Sequence, residues 1–162
     1  EWWRPYNDKI KHGICSNMDL QIRKNIIDFN VAPWFTPISD PMTIGPAFDN
    51  QDELITTLAH EMLHRLITDN TTYDYNLDIL KQWRLLFGEG HSQDKLIHIP
   101  LHEAMEALFT EVLNRPDLIE LDIEQTRQYK AYKDAWVYVK ETGYRTIISQ
   151  LVEASRAEQA SN

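Results

Sequence analysis

The spacing of apolar side chains predicts helices along most of this chain, and one stretch has the clearest helical pattern. Apolar residues recur there at intervals of three and four positions: Leu54, Ile55, Leu58, Ala59, Met62, Leu63, Leu66 and Ile67. Either Asn50 or Asp49 can cap the start of this helix. The acidic Asp52 and Glu53 suit its first turn, which lies at the positive end of the helix dipole. The polar run Asp69-Asn70-Thr71-Thr72 predicts its end.

The N-terminal part of the chain has a less regular pattern. We expect residues 1–16 to form an extended segment packed on the core, with Ser16 or Asn17 capping a helix that runs to about residue 30. Residues 31–49 alternate apolar side chains with prolines, which predicts short strands and turns. The run Met42-Thr43-Ile44-Gly45 is a candidate edge strand, to which an extended substrate peptide could add. A purely structural strand is the alternative.

In the second half, helical spacing returns. It predicts helices at residues 77–87, about 100–114, 123–141 and 144–154, followed by a frayed tail at 155–162. Gly88 and Gly90 end the first of these helices, and Gly143 separates the last two. Pro100 suits the first turn of the second helix, which Pro116 closes. The fold class is therefore α+β and mostly helical, with a small sheet built from residues before Phe48.

Composition narrows the possible environments and partners. The 162 residues are enough for one domain, and the absence of repeats and linkers predicts a single domain over residues 1–162. A net charge of −9 argues against nucleic acid or an anionic membrane surface as the main partner. The single cysteine, Cys15, excludes an intrachain disulfide and a zinc site built from cysteines, and it is typical of a small core residue. We expect a cytoplasmic protein.

The helix described first contains the most specific chemical pattern in the chain, His60-Glu61-Met62-Leu63-His64. Two histidines four positions apart lie on one face of a helix, one turn apart, where both imidazoles can bind the same Zn²⁺ ion. Glu61, between them in sequence, can act on a water molecule that the metal activates. A five-residue pattern also arises by chance, so a buried helix with two ordinary histidines is the alternative.

A catalytic zinc site needs three protein ligands and an open position for water. The candidates for the third ligand belong to the next strongly helical stretch: His98, His102, Glu103 and Glu106. His91 is a further candidate, on the loop that precedes this stretch.

At these residues the chain resembles the zincin metallopeptidases, and most of all the gluzincins. In that group H-E-x-x-H is followed, on a later helix, by a metal-binding carboxylate and by an acid one turn on. The similarity covers about residues 42–114. Small zincins of bacterial and phage origin are similar through the His98-x-x-x-His102 helix and the Ala135-Trp136…Gly143-Tyr144 stretch. The resemblance implies a zincin-like domain with its small mixed sheet before the H-E-x-x-H helix.

The resemblance leaves two registers for the third ligand. In one, Glu103 binds the metal, because it lies in a run similar to the Asn-Glu-Ala-Ile of thermolysin-like enzymes, but the residue one turn on is Ala107. In the other, which we favour, His102 is the ligand and Glu106 is the carboxylate that orients it. That register replaces the carboxylate of the gluzincins with an imidazole. His98, one turn before His102, could bind the metal instead.

The activity implied is that of a zinc-dependent peptidase acting on a peptide or protein. Glu61 is then the general base, which takes a proton from water and passes it to the leaving amine. The residues that could stabilise the oxyanion are Tyr129, Tyr132, Tyr138, Tyr144, Arg145 and His91. A deformylase-like amidase is an alternative, although Cys15 lacks the Gly-Cys context of such enzymes. A non-catalytic metal-binding or scaffold domain that retains the helix is the other.

Overall fold

The structure is a computed structural model that describes residues 4–18, 30–32, 37–45, 48–70 and 78–161. Helices dominate this part of the chain: α1 (Arg4–Met18), α2 (Gln51–Asn70), α3 (Asp78–Phe87), α4 (Gln93–Ala107), α5 (Asp117–Thr126), α6 (Lys130–Thr142) and α7 (Tyr144–Ser161). A π-helical turn, Leu108–Val112, continues α4. With a small sheet before α2, the α+β, mostly helical prediction is confirmed.

The sheet has three short strands: β1 (Asn30–Val31), β2 (Ile38–Ser39) and β3 (Met42–Ile44). Their order is β1-β3-β2, with β1 parallel and β2 antiparallel to β3, so the sheet is mixed as predicted. The prediction that Met42–Ile44 forms an edge strand is wrong, because this strand is central and all three residues are buried. Pro41 precedes the paired residues of β3 and does not interrupt the pairing. A peptide therefore cannot add to β3.

The N-terminal segment is a helix and not the extended segment expected. Tyr6 and Ile10 lie four positions apart on one face of α1, where Ile10 is fully buried and Tyr6 packs against the core. Ser16 and Asn17, expected to cap a later helix, lie in the last turn of α1. Most of the helix predicted to follow them falls on residues 19–29, which lie outside the described part of the chain.

The H-E-x-x-H helix forms where the apolar spacing predicts it, and α2 runs from Gln51 to Asn70. Asn50 caps its start, because its side-chain oxygen accepts a hydrogen bond from the Glu53 backbone N–H at 3.0 Å. The Glu53 carboxylate in turn accepts from the Asp49 backbone N–H at 3.0 Å. The first bond satisfies an N–H group that the first helical turn leaves unpaired, and the second ties the residue before the cap to the same turn.

The next two predicted helices form with one changed boundary. Helix α3 confirms the predicted helix from Asp78 to Phe87, residue 77 being outside the described part of the chain, and Gly88 follows it with a φ of +112°. Helix α4 begins earlier than expected, because the Ser92 side chain accepts a hydrogen bond from the Lys95 backbone N–H and caps it. Pro100 therefore lies inside α4 and not in its first turn. The helical stretch ends before Asn114, which has a positive φ of 54°.

The single helix predicted at 123–141 is wrong, since α5 and α6 are separated by a turn at residues 127–129. No glycine or proline marks this break; α5 packs against α2 whereas α6 packs against α4, so the chain changes direction between them. Gly143, with a φ of +85°, ends α6 as predicted. Helix α7 continues to Ser161, through the tail that was expected to fray.

Helix α4 is at the centre of the molecule, since α2, α3, α6 and α7 all pack against it. Its polar residues His98, His102 and Glu103 are consequently buried together with its apolar ones. In the described ranges, no helix is both long enough and apolar enough to cross a lipid bilayer. The packing of α2 and α5 against each other and of α2 against α4 brings the candidate ligands of three helices together.

Candidate metal centre

Helix α2 contributes the first two candidate ligands. His60 and His64 are one turn apart, as their spacing predicts, and their ring centroids are separated by 5.0 Å. Both His60 and the intervening Glu61 are buried, with 6% and 7% of their surface exposed. The local helix alone accounts for this pair, because residues four apart share a face whatever the rest of the chain does.

Helix α4 brings His98 to the same place. The His98 ring centroid lies 5.6 Å from that of His60 and 5.0 Å from that of His64. One nitrogen atom from each of the three rings lies within 4.8 Å of the other two, a spacing that can hold one metal ion. Three imidazoles from two helices match a catalytic zinc site, which combines three protein ligands with a water position.

The protonation of His98 can be read from its surroundings. Its Nδ1 atom lies 2.6 Å from the carbonyl oxygen of Asp94, one turn earlier on α4. Since a carbonyl only accepts hydrogen bonds, Nδ1 carries the proton in the neutral ring and Nε2 has the lone pair. This Nε2 atom is buried and has no hydrogen-bond partner. A buried ring nitrogen left without a partner fits a metal ion, so these residues suit Zn²⁺.

His102, which the sequence favoured as third ligand, lies in a second group of residues. That group joins His102 with His60 and Asp122, again with candidate atoms within 4.8 Å of one another. The His102 Nε2 atom is 3.9 Å from an Asp122 carboxylate oxygen, and the ring is fully buried. The geometry thus favours His98, the alternative, as the third ligand of the H-E-x-x-H pair.

Asp122 is the residue of this site that the sequence reasoning missed. Its Oδ1 atom lies 3.4 Å from His60 Nδ1, and its Oδ2 atom accepts a hydrogen bond from Trp136 Nε1 at 2.7 Å. A signal was present in the sequence, since Asp122 lies four positions after Leu118 and three after Ile119, both of which are apolar and buried. An acidic residue on the apolar face of a helix is rarely buried without a partner.

The remaining ligand candidates lie apart from the cluster. Neither of the two metal-binding groups formed by the described residues includes Glu103, Glu106 or His91. Glu103 is fully buried and neither carboxylate oxygen has a hydrogen-bond partner. Burial raises the pKa of Glu103 well above its ordinary value. The ring of His91 packs against Tyr138 at a centroid distance of 5.8 Å.

Burial and mutual repulsion keep most of the cluster neutral. Desolvation, helped by the charge of His60, lowers the pKa of His64 to about 2 and that of His98 to about 4. Desolvation also lowers the pKa of His102 well below its ordinary value. Metal ions bind neutral imidazole, so protons compete weakly for these nitrogens.

His60 and Glu61 are shifted in the opposite direction. Burial lowers the pKa of His60, but the contact with Asp122 and the charges of Asp122 and Glu61 outweigh it, and the pKa is raised. Burial raises the pKa of Glu61, a shift that the charge of His60 partly opposes. A carboxylate with a raised pKa is a stronger base, as a group that accepts a proton from water must be.

One of the candidate oxyanion donors lies at the cluster. The ring of Tyr132, on α6, is 3.6 Å from that of His98 and 5.7 Å from that of His60, measured between centroids. Burial and the nearby charge of Glu61 are the leading causes that raise the pKa of Tyr132 to about 12, so its hydroxyl keeps its proton. By contrast, Tyr144 and Arg145 both bind the carboxylate of Glu111.

Comparison with known proteins adds no family to this geometry. No protein-family model, curated protein or solved structure matches the chain. The similarity to zincins therefore stays a prediction, and the geometry and chemistry of the site are the basis on which a function can be proposed.

Proposed function

We propose that this chain is a zinc-dependent peptidase of the zincin type. His60, His64 and His98 would hold the metal, and Glu61 would act as general base. What carries the proposal is one observation, the approach of three imidazole nitrogens from α2 and α4 to within 4.8 Å of one another, with Glu61 beside them. A peptide or protein substrate and a cytoplasmic location are parts of the same proposal.

When bound, Zn²⁺ would polarise the scissile carbonyl and lower the pKa of water towards neutrality. The protein supplies the rest of the chemistry. Glu61 takes a proton from the attacking water and delivers it to the leaving amine, for which its raised pKa is suited. Tyr132 keeps its hydroxyl proton and can donate a hydrogen bond to the developing oxyanion. The burial of His60 and His98 limits bulk water near the reacting groups.

The proposal is tested by metal analysis and peptide hydrolysis on the same preparation. The metal-free chain should take up one Zn²⁺ per molecule and then cleave members of a fluorogenic peptide library, with cleavage abolished by a chelator. Glu61→Gln should lower kcat about 10²- to 10⁴-fold and leave zinc affinity within a few-fold, because it removes a base and not a ligand. Glu120→Gln, the same chemical change at an exposed position of α5, is the control and should not change kcat.

Four outcomes would contradict the proposal in different ways. Absence of zinc binding would refute the metal site. Zinc binding without cleavage of any library member would leave a metal-binding or scaffold domain. Cleavage restricted to N-formyl groups would identify a deformylase-like amidase. Full activity of Glu61→Gln with zinc bound would remove Glu61 from the mechanism.

A further inference from the structure

The buried carboxylate of Asp122 joins the candidate zinc ligands to the hydrophobic core. Only 2% of its surface is exposed, and its two oxygens have different neighbours. Oδ2 accepts a hydrogen bond from the indole N–H of Trp136 at 2.7 Å, and Oδ1 faces His60 Nδ1 at 3.4 Å. A buried carboxylate needs such partners, since an unpaired buried charge is strongly destabilising.

The indole of Trp136 is itself held in place. Its ring stacks on that of His102, with centroids 4.4 Å apart and an angle of 11° between the planes. Trp136 is also buried, with 2% of its surface exposed. An indole N–H can only donate a hydrogen bond. The Asp122 atom that faces Trp136 must therefore be an acceptor, and the other oxygen is left for His60.

The orientation of His60 follows from this arrangement. If Asp122 Oδ1 accepts the proton of His60 Nδ1, the lone pair of His60 is on Nε2, the ring nitrogen available to a metal. His98 reaches the same tautomer by a different route, through the backbone carbonyl of Asp94. Of these two histidines, His60 is the one whose tautomer depends on a side chain, and that side chain is itself held by Trp136.

We propose that Trp136 is a positioning residue of the zinc site and acts through Asp122 on His60. The proposal deepens the proposed function and rests on it, since the tautomer of His60 matters most if His60 binds zinc. It also assigns His102 a role other than ligand, as the surface on which the indole stacks. The competing interpretation is that His60, His102 and Asp122 hold a second metal ion of their own.

The sharpest test uses the amide isostere of Asp122. In Asp122→Asn only one side-chain oxygen remains, and the Trp136 N–H requires it, so the NH₂ group faces His60 Nδ1. His60 Nδ1 must then accept, which moves the proton to Nε2 and removes the lone pair from the metal-binding nitrogen. Zinc affinity should fall about 10- to 100-fold, and nitrogen-15 NMR of the metal-free chain should show His60 changed to the Nε2–H tautomer.

The double variant Asp122→Asn/Trp136→Phe separates positioning from simple destabilisation. Without the indole N–H the amide can turn over and accept from His60 again, so the Nδ1–H tautomer and most of the zinc affinity should return. A purely structural role predicts the opposite, since two core changes should be worse than one. Trp136→Phe alone should weaken zinc binding only a few-fold, because the carboxylate of Asp122 can still accept from His60 Nδ1 with either oxygen. Trp83→Phe, the same change at a buried position on α3, should leave zinc binding unchanged.

The outcomes distinguish this proposal from the proposed function. If the unaltered chain binds no zinc, the proposed function fails, but the His60 tautomers in the metal-free variants still decide the role of Trp136. The positioning proposal is overturned if the double variant is no better than Asp122→Asn in both measurements. Two zinc ions per chain would also overturn it, in favour of the second metal site. Should Trp136→Phe not fold, the tautomer of Asp122→Asn alone decides: retention of the Nδ1–H form refutes the proposal.

Discussion

Zinc should stabilise the fold through His98 and not through His102, and this contrast can be measured without knowing a substrate. The two histidines lie one turn apart on α4 and both are buried. Both have buried ring nitrogens without a hydrogen-bond partner. His98 lies close enough to His60 and His64 to share a metal ion with them, whereas His102 groups with His60 and Asp122 and stacks on Trp136. His98→Ala should therefore remove a ligand, and His102→Ala should remove only a support for the site.

The size of the effect follows from linkage between binding and folding. At a free zinc concentration 100 times its Kd, a ligand that binds only the folded state adds about 2.7 kcal/mol to the free energy of unfolding. For a chain of 162 residues this raises Tm by roughly 5 to 11 °C. Removing a ligand should weaken binding at least about 100-fold, which leaves less than about 0.4 kcal/mol and a shift below about 2 °C. A tenfold loss for His102→Ala leaves about 1.4 kcal/mol, half of the original effect.

The assay compares the Tm of each variant with and without zinc, so that any destabilisation of the metal-free fold cancels. Both truncations leave a cavity and should lower Tm in the absence of metal. His98→Ala should then show almost no zinc-induced shift, and His102→Ala should keep about half of it. A full zinc shift in His98→Ala, or its loss in His102→Ala alone, would refute the assignment of His98 and restore the sequence-based preference for His102.

Two predictions concern the stability of the scaffold. Burial holds the pKa of Glu103 in the folded state above its pKa in the unfolded chain. Between these two pKa values the folded state keeps a proton that the unfolded state releases. The free energy of unfolding therefore falls as pH rises through that range, by at most about 1.4 kcal/mol per pH unit. Glu103→Gln should remove this pH dependence. In urea titrations its free energy of unfolding should exceed that of the unaltered chain by an amount that grows with pH, and a difference that does not change with pH would contradict the prediction. Gly13→Ala should destabilise by about 1 kcal/mol or more despite a better helix propensity, because the new Cβ would lie 2.5 Å from Val112 Cγ2. The double variant Gly13→Ala/Val112→Ala should regain part of the lost stability, as measured by thermal unfolding. If the effects of the two substitutions simply add, the Cβ of residue 13 does not clash with Val112.

Local features of the chain were predictable where a single element suffices. The helix α2 and its cap depend on neighbours within one or two turns. The apolar spacing predicted the helix, and Asn50, which caps it, was one of the two cap candidates. The mutual placement of His60 and His64 follows from helix geometry in the same way. Gly143, whose positive φ suits a residue without a Cβ, was likewise recognised as the end of a helix.

Other local predictions failed because contacts between segments, and not the local sequence pattern, decided the structure. The strand Met42–Ile44 pairs on both sides with segments that the sequence did not identify as its partners. The break between α5 and α6 carries no glycine or proline, and it exists because the two helices pack on different neighbours. The helix α1 forms because Ile10 and Tyr6 share a face that the core covers.

The sequence by itself determined a helix that presents two histidines and a glutamate, and with it the kind of chemistry worth testing. It favoured His102 over His98 as the third ligand, although both lie on the same face of α4 one turn apart and helix geometry does not separate them. Only the crossing of α4 over α2 decides which imidazole meets His60 and His64, and only the packing of α5 brings Asp122 to the other side of His60. These are contacts between segments far apart in sequence, and no local spacing encodes their distances.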